Sequence, residues 1–124
     1  MKQQELEDRL IKFSVNVVSL TKTIRRTTVS VHLIGQLVRS ATAPALMYAE
    51  ACAAESPQDF IHKMSMALKE LRETRINLRM ILLNDLAGGP SIDGLLDENE
   101  QLIAIFWKSI DTARRNRLKP GQPR

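Results

Sequence analysis

Residues 60–81 read FIHKMSMALKELRETRINLRMI. Phe60, Met64, Ala67, Leu71, Thr74, Leu78 and Ile81 recur in this stretch at 4-3-4-3-4-3 spacing. Side chains three and four residues apart share one face of an α-helix, so the run is a seam built to meet other helices. Leu6, Leu10, Phe13, Val17, Leu20 and Ile24 repeat the rhythm near the start of the chain. Two long seams in 124 residues predict an all-α fold, a helical bundle.

Working outward, the first helix is expected from about Gln3 to Ile24, with Glu5–Arg9 and Asp8–Lys12 as acid-before-base pairs four residues apart. Arg25 to Thr28 reads as a turn with Thr28 as N-cap. A second helix then runs from Val29 to about Ala54. Its stripe reads Ile34, Val38, Ala41, Ala45, Tyr48 and Cys52, which puts Cys52 on the seam as a small core hydrophobe. Pro44 lies inside this helix and frees the carbonyl of Ser40, with the Ser40 and Thr42 hydroxyls placed to help. Ser56-Pro57-Gln58-Asp59 is the sharpest boundary: a capping serine, a proline suited to the first helical position and an acid in the first turn. The third helix is expected to reach about Leu86, where Gly88-Gly89-Pro90 reads as a stop and a loop. The fourth helix is expected to begin between Asp93 and Asp97 and to carry Leu102, Phe106, Ile110 and Ala113 as far as about Leu118.

Short links force consecutive helices to run antiparallel, so the expected architecture is an up-down-up-down four-helix bundle over residues 1–118, followed by a basic, disordered tail at 119–124. A chain reversal near Glu55–Ser56 sets Arg39 level with Arg72 and Glu73, which predicts an ion pair from Arg39 to Glu70 or Glu73. The apolar stripes also overflow a single face. Ile11, Val15 and Val18, then Ile61, Leu68, Ile76, Leu82 and Leu83, then Ile103, Ile105 and Trp107 lie beside the seams. A second apolar face calls for a second partner, and association into a closed ring of identical copies satisfies it without leaving edges.

Composition narrows the chemistry. Aromatic residues make up only 4% of the chain, so the core is aliphatic. No apolar run approaches the ~20 residues of a membrane span, and the polar residues 1–9 are unlike a secretory signal. One cysteine excludes an internal disulfide framework; together these suit a cytoplasmic protein. The net charge is +4, yet residues 1–113 carry 13 basic against 14 acidic side chains. The excess comes from Arg114, Arg115, Arg117, Lys119 and Arg124. A basic end of this kind touches phosphate or acidic surfaces, or simply complements a helix C-terminus.

Catalytic signals are scarce. Asp59-x-x-His62 is a single near-match to the two Glu-x-x-His motifs of a di-metal bundle, and His32 has no acid at suitable spacing. Neither a nucleophile with its base nor a phosphate-binding glycine loop is evident, so no enzyme, metal or cofactor is expected. The richer feature is a basic stripe on the third helix. Lys69, Arg72, Arg75 and Arg79 recur at intervals of three and four, with Glu70 and Glu73 on the adjoining stripe. Such a stripe is either a solvated ridge or a track for backbone phosphates, whose binding weakens steeply with salt.

The block from Leu37 to Ile81 resembles the bacterial four-helix-bundle family named for proteins encoded in intervening sequences of 23S ribosomal RNA genes. The matching residues are Arg39-Ser40-Ala41-Thr42, Tyr48, Glu50-Ala51, Asp59 to Lys63, Lys69-Glu70, Arg72-Glu73-Thr74 and Leu78-Arg79. The stretch ENEQLIAIFWKSIDTARRN, residues 98–116, looks like the last helix of that family. Met47 stands where an asparagine is usual, and Ile76-Asn77 replaces an aromatic pair. The resemblance implies a four-helix bundle assembled as a homopentameric ring. It implies no activity. Related bundles include the basic accessory protein of diversity-generating retroelements, which binds a reverse transcriptase and nucleic acid.

The functional expectation is a non-enzymatic oligomeric bundle that contacts RNA, DNA or a ribonucleoprotein through arginine-rich surfaces. The alternative is an adaptor for a reverse transcriptase or another enzyme. Candidate contacts are Lys69, Arg72, Arg75, Arg79, Arg114, Arg115 and Arg117.

Overall fold

The structure, a computed structural model, describes residues 1–118. Four helices follow one another, α1 (Gln3–Thr21), α2 (Thr28–Cys52), α3 (Pro57–Leu83) and α4 (Gly89–Leu118), and no strand occurs among the described residues. Each packs on its sequence neighbours and α4 returns to α1, which closes an antiparallel four-helix bundle. The α2–α3 interface is the most extensive and α1–α4 the thinnest. No helix of the described residues is long and apolar enough to cross a membrane. The basic tail expected at 119–124 lies outside the described residues.

The seams of α1 and α3 sit where their spacing put them. Leu6, Leu10, Phe13, Val17 and Leu20 are buried, as are Met64, Ala67, Leu71, Thr74, Leu78 and Ile81, while Phe60 is half-buried. From α4, Ile92, Leu95, Leu102, Phe106 and Ile110 complete the core. The Phe106 ring meets Tyr48 of α2 edge-on, with ring centres 5.8 Å apart.

Helix ends differ from the sequence reading. α1 stops at Thr21 rather than Ile24, and a tighter turn follows, with the Thr23 and Ile24 amides donating to the Leu20 and Thr21 carbonyls. Ile24 is still buried from that turn. Thr27, not Thr28, caps α2. Its hydroxyl accepts from the Ser30 amide at 3.1 Å and the Ser30 hydroxyl accepts from the Thr27 amide at 2.8 Å, a reciprocal pair open to Thr27 because a serine stands three residues on. Ser56 caps α3 by accepting from the Asp59 amide at 3.0 Å. α3 ends at Leu83, before Leu86, and Asp85 takes a left-handed φ of 55° in the turn. α4 begins at Gly89, well before the expected Asp93–Asp97. Gly88-Gly89-Pro90 stops one helix and also starts the next: Gly89 adopts φ 68°, and proline suits the first turn because its missing N–H would have had no partner there.

The α2 stripe is rotated from its expected position. Leu33, Leu37, Ser40, Ala41, Pro44, Tyr48 and Ala51 face the core, whereas Ile34, Val38 and Ala45 are half-buried and Cys52 is exposed. Cys52 is therefore not a core residue. The hydroxyls near Pro44 bond elsewhere than the freed Ser40 carbonyl: Thr42 to the Val38 carbonyl at 2.7 Å and Ser40 to the Leu37 carbonyl at 3.2 Å. Arg9 does not pair with Glu5, nor Lys12 with Asp8, among the ion pairs of the described residues. Arg9 crosses to α4 and grips the Glu98 carboxylate through Nε at 3.0 Å and through Nη2.

Candidate functional site

The α2–α3 interface carries a polar line through an otherwise aliphatic contact. The Thr74 hydroxyl donates to the Glu70 carbonyl at 2.8 Å and lies 3.1 Å from the Ser40 hydroxyl. Asn77 donates from Nδ2 to Ser40 Oγ at 3.0 Å and to the Gln36 carbonyl at 3.3 Å. At the rim, Arg39 donates to both Glu70 carboxylate oxygens at 3.4 and 3.5 Å and lies 3.9 Å from Glu73. The antiparallel level of the two helices thus brings Arg39, Glu70 and Glu73 together. Buried polar groups fix register because a slipped helix would leave them without partners.

Burial first, then the adjacent Glu73 carboxyl, push the Glu70 carboxyl above the usual glutamate range, against the opposing charges of Arg39 and Lys69. Glu73 Oε2, beside it, is buried without a hydrogen-bond partner. A proton retained on Glu70 gives it a donor. The folded chain therefore binds this proton more tightly than the unfolded chain. The contribution of this group to stability is fully present below the ordinary glutamate pKa and is lost as pH rises from there through the raised folded value. Glu70→Gln keeps a donor and removes the titration. Urea denaturation at mildly acidic and neutral pH should show a smaller acid-to-neutral loss of stability in the variant than in the parent chain; an equal loss would place the proton elsewhere.

The predicted basic stripe separates into paired and unpaired members. Arg75 bonds Glu100 of α4 at 3.0 Å, and Arg115 bonds Asp111 at 2.8 Å. These two are occupied by bundle acids. Lys69, Arg72, Arg79, Arg114 and Arg117 make no ion pair among the described residues. Lys69, Arg72 and Arg114 line one groove between α3 and α4, about 580 Å³ in volume, together with Ser65, Leu68, Glu73, Ile76, Trp107, Ile110 and Asp111. Trp107 is 55% exposed and Ile76 46% exposed, so the groove has an apolar wall beside its cations. Arg79 is exposed two turns along α3 from Arg72, and Arg117 is half-buried in the last turn of α4. The periodicity of α3 alone could not separate Arg75 from Arg72, because the acid that occupies Arg75 comes from another helix.

Sequence reasoning missed three features. Asn99 is fully buried in α4 and donates from Nδ2 to the Leu71 carbonyl at 3.1 Å. A groove of about 720 Å³ runs between α1 and α4 over Phe13, Leu20 and Leu95, with Lys12, Asn16 and Ser91 on its walls. Its cause is the thin α1–α4 contact, which the Arg9–Glu98 pair clasps at one point. Thirdly, Tyr48 approaches Cys52 one turn on. Burial, then the Cys52 thiol, push the Tyr48 phenol up to about 12, so it stays protonated. Asp59 and His62 belong to no group of three or more metal-ligating side chains among the described residues.

Exposed apolar side chains collect on a second face. Ser14 of α1 donates to the Ala41 carbonyl of α2 at 3.0 Å, which brings the outer sides of these helices together. Ile11, Val15 and Val18 lie on the α1 side, and Val31, Val38, Thr42, Ala45 and Leu46 on the α2 side. Val15 is 56% and Leu46 71% exposed. Between Val31 and Ala49 the only Lys, Arg, Asp or Glu is Arg39, which reaches α3 instead. Gly35 sits mid-helix on this face, where a Cβ would meet nothing within 4 Å. Glycine there costs about 1 kcal/mol of helix stability relative to alanine, and packing within the chain does not require it.

Comparison with known proteins places these features in context. The family model described as 23S rRNA-intervening sequence protein matches residues 2–108. That span holds all of α1 to α3 and α4 up to Lys108, hence the Lys69–Arg79 stripe and Trp107, but not Arg114, Arg115 or Arg117. Among solved structures, this chain is similar to the crystal structure of a protein of unknown function from the S23 ribosomal protein family of Bacteroides thetaiotaomicron. The two are 24% identical with a TM-score of 0.80, over 90% of this chain and 99% of that one. At that identity the likeness shows the fold. No curated protein matches the chain.

Proposed function

Because the chain belongs to the family of 23S rRNA-intervening sequence proteins, we propose that it is a non-enzymatic scaffold that assembles from identical copies and contacts RNA. The observation that carries this reading is the division of its exposed surface into two unlike faces. The α1–α2 face is largely apolar, with Lys22 beside Val15 and Val18 at its α1 edge, which suits contact with a second protein surface. The α3–α4 face holds Lys69, Arg72 and Arg114, which make no ion pair among the described residues, and this suits a polyanion. A closed ring, five copies as the resemblance implies, covers the first face and repeats the second around its rim. Repetition matters because several weak phosphate sites on one rigid body act together.

A salt series with a labelled RNA of mixed sequence tests the nucleic-acid half. Three phosphate contacts on a single strand give a slope of log K against log salt of about −2. The Arg72→Ala, Arg114→Ala double variant should weaken binding to all sequences alike and flatten that slope by about 1.4. Absence of binding at low salt would contradict the RNA reading and favour a protein adaptor. The family name also admits a contact with DNA or a ribonucleoprotein, and competition with unlabelled DNA distinguishes it.

A further inference from the structure

We infer that the α3–α4 groove takes RNA as an unpaired strand, with a base stacked on Trp107 and the flanking phosphates on Lys69, Arg72 and Arg114. The inference rests on the reading that this face binds RNA, and it adds what kind of RNA and by which contact.

Cations alone suffice to bind a duplex through its phosphates. This groove has more than cations. Trp107 is the one tryptophan of the chain, and it stands 55% exposed beside three cations that make no ion pair among the described residues. The core does not need it: Phe106, its neighbour in sequence, fills the interior, and Trp107 lies on the outer flank. Ile76, on α3, adds a second exposed apolar surface to the same groove. An aromatic ring flanked by guanidinium and ammonium groups is the arrangement that holds single strands, because every unpaired base offers a π-face. Bases inside an A-form duplex are stacked on one another and offer only their edges, so a duplex cannot use the ring.

The two acids that line the groove each have an arginine beside them. Asp111 is held by Arg115 at 2.8 Å, and Glu73 lies 3.9 Å from Arg39 beside Glu70. The residual field is positive. Along α3, Lys69 and Arg72 stand one turn apart and Arg79 two turns further, which extends the cationic side by about 15 Å of helix rise. A strand can therefore continue past the groove toward Arg79.

The single tryptophan makes the test direct, since all indole emission reports on residue 107. The full chain is titrated at low salt with oligo(A), oligo(U) and a blunt RNA duplex of the same number of phosphates, reading tryptophan emission and binding anisotropy together. Single strands should quench the emission and bind about tenfold more tightly than the duplex. Trp107→Ala should cost single-strand affinity about 10- to 100-fold, leave the salt slope unchanged and leave duplex binding unchanged. Trp107→Phe should recover most of the loss, and circular dichroism checks that both variants fold.

If the Arg72→Ala, Arg114→Ala variant weakens binding while Trp107→Ala changes neither affinity nor preference, the stacking inference fails and the phosphate reading stands. Equal quenching and affinity for duplex and single strand also overturn the inference. If no RNA of either form binds, both fail.

Discussion

Phe106→Ala lowers the stability of the folded chain by about 3–5 kcal/mol. Phe106 is fully buried in α4, and its ring reaches across the core to Tyr48 of α2 at 5.8 Å and an interplanar angle of 67°. Truncation removes the burial of a large ring, leaves a cavity in close-packed surroundings and deletes an edge-to-face aromatic pair. Against a total stability of about 5–15 kcal/mol for an ordinary domain, the loss is large. It should appear in urea denaturation as a lower midpoint with an unchanged slope, and in thermal unfolding as a fall of roughly 10–20 °C. A loss below about 1 kcal/mol would mean that α4 does not close the bundle as described.

If the proposed assembly is sealed by the α1–α2 face, Val15→Asp should yield single chains that remain folded. Val15 is 56% exposed in the isolated chain, so the substitution disturbs no internal packing, and valine and aspartate have similar helix propensities. In an assembly sealed by the α1–α2 face the same carboxylate is buried without a partner, which costs several kcal/mol at every interface. The native mass should fall to 14.0 kDa while the helical signal is retained. Asn16→Asp adds the same charge one residue away, on the flank of α1 that lines the α1–α4 groove, and should leave the assembly intact. If both variants keep the parent mass, the α1–α2 face is not the interface.

The fold was legible where one physical signal dominated. Heptad spacing located the buried faces of α1 and α3, and the Ser56-Pro57 pair located the start of α3 to the residue. Legibility failed where hydropathy and tertiary bonding disagree. On α2, hydropathy favours Ile34 and Val38 over Ser40 and Pro44. The helix nonetheless turns Ser40 inward, because its hydroxyl meets Thr74 and Asn77 of α3. That rotation carries Cys52 out to solvent. Gly89-Pro90 has two local meanings, as a helix stop and as a helix start, and only Ile92 and Leu95 seated in the core decide for the second.

The candidate site was legible as composition rather than as arrangement. Lys69, Arg72, Arg75 and Arg79 form one stripe on α3 by periodicity. Which of them remain available depends on Glu100, a residue of a different helix at a level that only the packed bundle sets. For the same reason Trp107 and Arg114 could not be assigned to the same groove as Arg72 from sequence. Short-range patterns give faces, and contacts between helices select among the residues on a face.

The central claim is that the largely apolar α1–α2 face is covered by another copy of the chain. The most direct test is the native mass of the unmodified protein, by sedimentation equilibrium over a range of concentrations. A closed ring of five gives about 70 kDa, five times the 14.0 kDa chain, held constant on dilution. A particle of 14.0 kDa throughout would contradict the account.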